Sequence, residues 1–105
     1  MDRKEYNGWT NYETWCVALW MDNEEGSANY WSEECENVCK REDDTDDRIR
    51  ELSDLLKDQH EEALPELKGF AADMLNAAMS EVDWYEIARH LVDDYEAEHK
   101  DEEAA

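Results

Sequence analysis

The sequence is short of the residues that interrupt helices, since its 105 residues include only three glycines and one proline. Domains built from many short β-strands need glycine and proline at frequent turns, so this scarcity favours a few long helices. No segment shows a convincing period-two alternation of apolar and polar residues, the pattern typical of a half-buried strand. The predicted fold class is all-α, a small bundle of four to five helices.

Long apolar runs are also missing. No segment approaches the roughly 20 apolar residues that a membrane-spanning helix requires, and residues 1–6 lack the apolar core of a signal peptide. The three cysteines are too few, and odd in number, for a disulfide framework. We therefore expect a cytoplasmic protein, in the host cell if a virus encodes it, with no membrane partner and no cofactor.

Basic residues are scarce relative to acidic ones. Ten Lys and Arg residues stand against 31 Asp and Glu residues, which gives a formal net charge of −21. Such a surface repels phosphate groups, which argues against direct binding to nucleic acid or to an anionic membrane. Three explanations stay open: a cationic partner, adaptation to very high salt, and simple solubilisation. An acidic protein–protein adaptor that does not imitate nucleic acid is a further alternative.

Apolar residues recur at helical spacing in five segments. Helix starts are predicted at a capping box that begins at Thr10, at Ser27, at Thr45 and at a second capping box that begins at Asp83. Pro65 breaks the chain or begins a fourth helix. This fourth segment should be the most buried, and its apolar residues are Leu67, Phe70, Ala71, Met74, Leu75, Ala78 and Met79. The apolar face predicted for the first helix comprises Tyr12, Trp15, Cys16, Leu19 and Trp20.

Acidic residues fall on the helix faces that the apolar residues leave free. Residues 1–99 are expected to form a single acidic helical domain, and residues 100–105 a charged tail. Like charges three or four residues apart destabilise a helix by a few tenths of a kcal/mol per pair. We therefore hypothesise that these acidic residues have a function. The predicted partner-binding residues are Glu42, Asp43, Asp44, Asp46, Asp47, Glu51, Asp54, Asp58, Glu61 and Glu62, with Asp93, Asp94 and Glu96 as a second patch.

The charge density of the chain is of the same order as that of duplex DNA. DNA carries one charge per roughly 1.7 Å of its axis, so a charge of −21 corresponds to about 36 Å of duplex. A compact domain of this length has a diameter on the order of 33 Å. This comparison predicts a DNA mimic, monomeric or homodimeric, that occupies the basic nucleic-acid-binding groove of a host protein.

The segment YNGWTNYETWCVALWMDN, residues 6–23, resembles the opening of a family of small uncharacterised proteins from phages, plasmids and some microbial genomes. The closing segment VDWYEIARHLVDD is similar to the last helix of those proteins. This resemblance implies a mobile-element context rather than an activity. In size, charge and helicity the chain is also similar to phage proteins that imitate DNA and block restriction enzymes or CRISPR effectors. That similarity is one of composition, and it implies a host defence protein as the target.

Few residues suggest other chemistry. Cys35 and Cys39 lie one helical turn apart, a spacing that could serve a zinc ion, although buried cysteines that pack as small apolar residues are the simpler interpretation. His90 could be imagined as a base, but no activated nucleophile or phosphate-binding loop accompanies it. We therefore predict no metal site, no catalytic residue and no enzyme.

The aromatic residues of the N-terminal segment allow two interpretations. Tyr12 and Trp15 can pack within the bundle, which makes the segment structural. Alternatively, an exposed Trp9, Trp20 or Trp31 would anchor a protein partner.

Overall fold

The computed structural model describes residues 6–99, which form five α-helices. The helices are α1 (Tyr12–Asn23), α2 (Glu25–Arg41), α3 (Thr45–Glu62), α4 (Gly69–Ser80) and α5 (Trp84–Glu98). The predicted all-α bundle is confirmed, and the only β-type pairing in residues 6–99 is an isolated bridge between Tyr6 and Trp9. The tail predicted over residues 100–105 lies outside the described residues. Over residues 6–99, no helix has the length and apolar character needed to cross a membrane.

Two helices begin one residue away from the predicted caps. Asn11 rather than Thr10 caps α1, and Asp44 rather than Thr45 caps α3. In each case a side-chain oxygen accepts a hydrogen bond from the backbone N–H three residues later, at 2.9 Å in α1 and 3.1 Å in α3. Asn and Asp are at least as effective as Thr in this position, so the neighbouring residue takes the role.

Of the three remaining predicted helix starts, one agrees with the structure and two differ from it. Asp83 caps α5 as predicted, since its Oδ1 accepts a hydrogen bond from the N–H of Glu86 at 3.0 Å. Ser27 lies inside α2, which begins at Glu25 without a side-chain cap. The chain after Pro65 stays irregular until Gly69, whose φ of +63° favours glycine.

The core lies between α3 and α5, which form the most extensive helix pair, with α2 packed against both. α5 contributes Trp84, Ile87, Ala88 and Val92 to this core, and all four are buried. Burial of one large apolar side chain stabilises a fold by roughly 1.5–3 kcal/mol. Within residues 6–99, five apolar residues have no exposed surface, and they are Val38, Leu52, Leu56, Ala88 and Val92.

The apolar face predicted for α1 is wrong. The buried residues of this helix are Thr14, Ala18 and Met21, whereas Tyr12 is 52% exposed and Trp20 is 69% exposed. The helix is apolar almost all round, so its sequence does not mark which side the bundle will cover.

α4 differs most from the sequence-based prediction. None of its 12 residues is buried, and Phe70 and Met74 are 80% and 56% exposed. A cleft of about 490 Å³ separates the helix from the C-terminal part of α3. The radius of gyration is 15.1 Å, against about 13 Å for a compact domain of this length. The prediction that the fourth helix is the most buried one is therefore wrong, because no other helix within residues 6–99 covers it.

Candidate functional site

A row of carboxylates runs along the solvent face of α3. Ile49, Leu52 and Leu56 face the core, so positions offset by about half a turn face outward. At 1.5 Å per residue this row is about 22 Å long, with one carboxylate per roughly 4–5 Å. The phosphates of one DNA strand follow each other every 3.4 Å or so along the duplex axis. We call these residues the α3 ridge, and they are Asp47, Glu51, Asp54, Asp58, Glu61 and Glu62.

Half of the α3 ridge is paired with cations of the chain itself. The ion pairs are Arg50–Asp47, Arg41–Glu51 and Lys57–Glu61. For Asp54, Asp58 and Glu62 the described part of the chain provides no ion pair. Exposed ion pairs contribute only about 0–1 kcal/mol, so an incoming cation can displace Arg50, Arg41 or Lys57 at little cost.

Two carboxyl groups meet where α2 joins α3. A hydrogen bond between the side chains of Glu42 and Glu51 raises the pKa of Glu42, and partial desolvation and repulsion from Glu51 and Asp47 act in the same direction. Glu42 is the C-cap of α2, and Glu51 belongs to the α3 ridge. The carboxyl groups at this end of the α3 ridge therefore lie close enough together to favour the protonated form of Glu42.

The short link before α3 holds the other acidic residues of the predicted cluster. Asp43 is exposed, Asp44 is used as the cap of α3, and Asp46 is exposed in the first turn. Carboxylates in this turn interact favourably with the helix dipole. The linear cluster predicted over residues 42–47 therefore lies at the N-terminal end of the α3 ridge, with one of its members engaged in capping.

The three acidic residues predicted as a second patch do not share one face of α5. Glu96 faces α3, where its Oε2 accepts hydrogen bonds from Thr45 Oγ1 at 2.8 Å and from Arg48 Nη1 at 2.7 Å. Asp94 lines two small clefts on the side of α5 that faces α1 and α2. Asp93 is exposed. Only Asp93 and Asp94 are thus directed to solvent, on different sides of the helix.

Arg48 is a buried cation that the sequence-based prediction missed. Its side chain donates Nε–H to the carbonyl of Glu42 at 2.7 Å and Nη2–H to the carbonyl of Cys39 at 3.0 Å. These are among the last carbonyls of α2, which lack partners within their own helix. The signal that could have revealed Arg48 is its position four residues before Leu52, on the apolar face of α3.

The start of the N-terminal segment forms a two-residue hairpin turn. Asn7 and Gly8 have φ values of +49° and +90°, as a type I′ turn requires. Tyr6 and Trp9 each donate a backbone N–H to the other's carbonyl at 2.8 Å. The Trp9 ring then stacks on His90 of α5 at 4.1 Å between centroids. These residues therefore hold the N-terminal segment against the last helix.

The following residues join α1 to the link between α4 and α5. Thr14 Oγ1 donates to Asn11 Oδ1 at 2.6 Å and accepts from the N–H of Asp83 at 2.9 Å. Asn11 Nδ2 donates to the carbonyl of Glu81 at 2.7 Å. These contacts support the structural interpretation of the N-terminal segment.

The two neighbouring cysteines are buried, with 2% of Cys35 and 3% of Cys39 exposed. Burial, with interactions from Cys39, raises the pKa of the Cys35 thiol, so it stays protonated at neutral pH. Within residues 6–99, no three His, Cys, Asp or Glu side chains are arranged to hold a metal ion.

An apolar groove of about 240 Å³ separates α1 from the C-terminal turn of α4. Tyr12 and Cys16 line it from α1, and Ala78 and Met79 line it from α4. Trp20 lies one turn beyond Cys16 and is the most exposed of the three tryptophans considered as anchors, since Trp31 is only 5% exposed and Trp9 is half-buried.

These features define a small, strongly acidic all-α bundle with a carboxylate row on one helix and an uncovered apolar helix at one end. Residues 2–104 match the model of a family of unknown function, DUF7249, and the chain belongs to this family. No curated protein and no solved structure matches the chain.

Proposed function

We propose that the protein is a DNA mimic that occupies the basic nucleic-acid-binding groove of a host defence protein and blocks its access to DNA or RNA. The observation that carries this proposal is the α3 ridge, because its carboxylates follow each other on average about every 4–5 Å, a spacing of the same order as the roughly 3.4 Å between phosphates along one DNA strand. The opposite face of α3 is packed into the core, so the backbone beneath the ridge is fixed.

The energetics of such a complex follow from charge. A groove that binds nucleic acid presents Lys and Arg residues to the phosphates. Carboxylates at the positions of those phosphates form ion pairs with the same Lys and Arg residues, and the counterions of both surfaces are released. The net charge of −21 attracts a cationic partner over a distance of about a Debye length. Association is therefore fast at low salt and weakens as salt is added.

The class of target is supported by two resemblances, that of the composition to DNA-mimicking phage proteins and that of the N-terminal segment to proteins of mobile elements. Its resemblance to phage and plasmid proteins supports a host restriction enzyme or CRISPR effector as the partner, because mobile elements benefit from blocking such enzymes. A nuclease of this kind grips the phosphate backbone over many base pairs, and a row of carboxylates on a rigid helix competes with that contact.

The test is inhibition of DNA binding by a purified restriction enzyme and a guide-loaded CRISPR effector, with two charge variants of equal net charge. The ridge variant carries Asp54→Asn, Asp58→Asn, Glu61→Gln and Glu62→Gln. The matched control variant carries Asp22→Asn, Glu24→Gln, Glu25→Gln and Glu33→Gln, which are all exposed positions outside the ridge. We expect the ridge variant to lose about 1–4 kcal/mol of binding free energy, on the order of 5- to 1000-fold in Kd, and the control to retain its inhibition.

Two outcomes would contradict the proposal. Equal loss in both variants would mean that net charge alone matters, so that the ridge has no special role. A wild-type protein that is folded only in molar salt by circular dichroism, and inhibits neither enzyme, would instead indicate adaptation to high salt.

A further inference from the structure

An exposed face of α4 is apolar and nearly free of charge. Phe70, Met74 and Ala77 follow each other at spacings of four and three residues, so they lie on one side of the helix, and all three are exposed. Ala71 and Ala78 flank this row and are exposed as well. We call these five residues the α4 face. Apolar surface of this kind on a single helix usually contacts another molecule.

The distribution of charge indicates what that molecule is. Asp73 is the only ionisable residue within α4, although 31 of the 105 residues of the chain are acidic. A cationic partner would find few carboxylates here. Two copies of this chain repel each other over most of their surface, and they can approach closely only where carboxylates are missing. We propose that α4 is a homodimer interface, in which two copies pair antiparallel through the α4 face.

The sequence of α4 is complementary to itself in that arrangement. A twofold axis at Met74 places Phe70 opposite Ala78 of the second copy, Ala71 opposite Ala77, and Met74 opposite Met74, so the largest side chain of the row meets a small one. A twofold contact of this kind uses the same surface on both copies and closes on itself. The alanines let the two helices come close, as small residues do at helix contacts.

Charges at the two ends of α4 fit the same arrangement. Lys68 is the N-cap of α4 and Glu81 is its C-cap, and both side chains are exposed. Within one copy they lie about 20 Å apart, at 1.5 Å per residue of helix, so they cannot pair. In the antiparallel pair, Lys68 lies beside Glu81 and the helix C-terminus of the second copy, both of which attract a cation.

The exposed apolar area is enough for a weak dimer. Leu67, Phe70 and Met74 with Tyr12 of α1 are between 41% and 80% exposed, which amounts to on the order of 500 Å². Ala78 belongs both to the α4 face and to the groove beside α1, so the two apolar surfaces are continuous. A stable interface buries about 800 Å² on each partner, so we expect a Kd on the order of 10 µM at about 0.15 M salt.

The inference is independent of the proposed function, because the two contacts respond to salt in opposite directions. Salt screens the repulsion between two copies and strengthens an apolar contact, whereas it weakens the contact of the α3 ridge with a cationic groove. Failure of one proposal therefore leaves the other unchanged.

Analytical ultracentrifugation of the full chain tests the dimer, from about 5 to about 500 µM and in about 0.15 M and about 1 M NaCl. We expect a monomer–dimer equilibrium that shifts towards dimer at high salt. Phe70→Glu should weaken it by more than about 30-fold, and Tyr85→Glu, at an exposed aromatic residue of α5, should leave it unchanged. Circular dichroism confirms that both variants are folded.

Two further variants test the arrangement itself. Lys68→Glu alone and Glu81→Lys alone should each weaken the dimer, and the double variant should restore it, since the charges then attract again. In a Cys16→Ser background, Met74→Cys should form a disulfide between copies under mild oxidation, because the axis brings the two residues together. Asn76→Cys, on the side of α4 that lines the cleft, should not. A protein that stays monomeric at high salt, or a dimer that is unaffected by Phe70→Glu, overturns the proposal.

Discussion

Arg48 of α3 and Glu96 of α5 form a partly buried ion pair, with 2.7 Å between Nη1 and Oε2. The Arg48 side chain is only 8% exposed and that of Glu96 is 24% exposed. The same guanidinium also holds the carbonyls of Cys39 and Glu42 at the end of α2. One cation thus connects three helices, in a chain where carboxylates outnumber cations about threefold.

Replacement of this cation should be strongly destabilising. Arg48→Met removes the guanidinium, so Glu96 loses its cationic partner and two carbonyl groups lose the donor that Arg48 supplies, although Thr45 still donates to Glu96. We expect this change to lower the free energy of unfolding by about 2–4 kcal/mol. Urea unfolding measured by circular dichroism checks this value. Arg89→Met, at an exposed position of α5, should change it by less than about 0.5 kcal/mol. Equal effects of the two variants would contradict the role given to Arg48.

The Glu42–Glu51 contact should make stability depend on pH. The pKa of Glu42 is raised above its ordinary value of 4.5 in the folded protein. As pH rises past 4.5, Glu42 loses its proton in the unfolded chain before it does so in the folded protein. The free energy of unfolding therefore decreases progressively until pH exceeds the pKa of Glu42 in the folded protein. Above that pH the full destabilisation is present, and below 4.5 it disappears.

Glu42→Gln should therefore raise the melting temperature at neutral pH and have little effect below the ordinary pKa of 4.5. Thermal unfolding at several pH values checks this expectation. Glu33→Gln, at an exposed position of α2, provides a variant with the same change of charge. A benefit of Glu42→Gln that persists in acid would show that it does not arise from the ionised carboxyl.

The cap of α1 should lie at Asn11 and not at Thr10. Asn11→Ala removes the hydrogen bond to the N–H of Thr14 and the one to the carbonyl of Glu81, and we expect a loss of about 1–2 kcal/mol. Thr10→Ala should have a much smaller effect, since the Thr10 side chain is exposed. Urea unfolding distinguishes the two, and a larger loss for Thr10→Ala would restore the capping box predicted from the sequence.

The cysteines should differ in reactivity. Cys16 is half-buried, whereas Cys35 and Cys39 are buried and the pKa of Cys35 is raised by burial. A thiol reagent at mildly alkaline pH should therefore modify Cys16 quickly, and modify Cys35 and Cys39 only after unfolding. Mass spectrometry of labelled peptides identifies the sites. Rapid labelling of Cys35 in the native protein would contradict the placement of this residue in the core.

The sequence predicts the buried faces of α3 and α5, which form the centre of the bundle, better than it predicts those of α1 and α4. The apolar faces of α3 and α5 are narrow and are bordered by acidic residues, so their inward side follows from helical spacing. α1 and α4 are apolar over much of their circumference, and for them spacing does not select a face. The prediction that α4 is buried fails because apolar residues at helical spacing do not show whether another helix of the same chain covers them.

The candidate site is predictable only in part. The α3 ridge follows from the spacing of acidic residues along a single helix, which is local information. The engagement of Glu96 depends on Arg48, which lies 48 residues earlier in the chain. This pairing depends on the angle at which α3 and α5 pack, and that angle cannot be obtained from a single sequence. For the same reason Asp93, Asp94 and Glu96 appear as one patch in the sequence and point to different sides in the structure.

The hydrogen bonds that join the N-terminal segment to the link between α4 and α5 also affect how the protein is made. Asn11 and Thr14 leave the ribosome early, yet their partners Glu81 and Asp83 are synthesised 70 and 69 residues later. Until then α1 lacks these hydrogen bonds, although it can already pack against α2. Closure of the bundle is therefore a late event in translation, and folding is slower than a helical protein with only local contacts would allow.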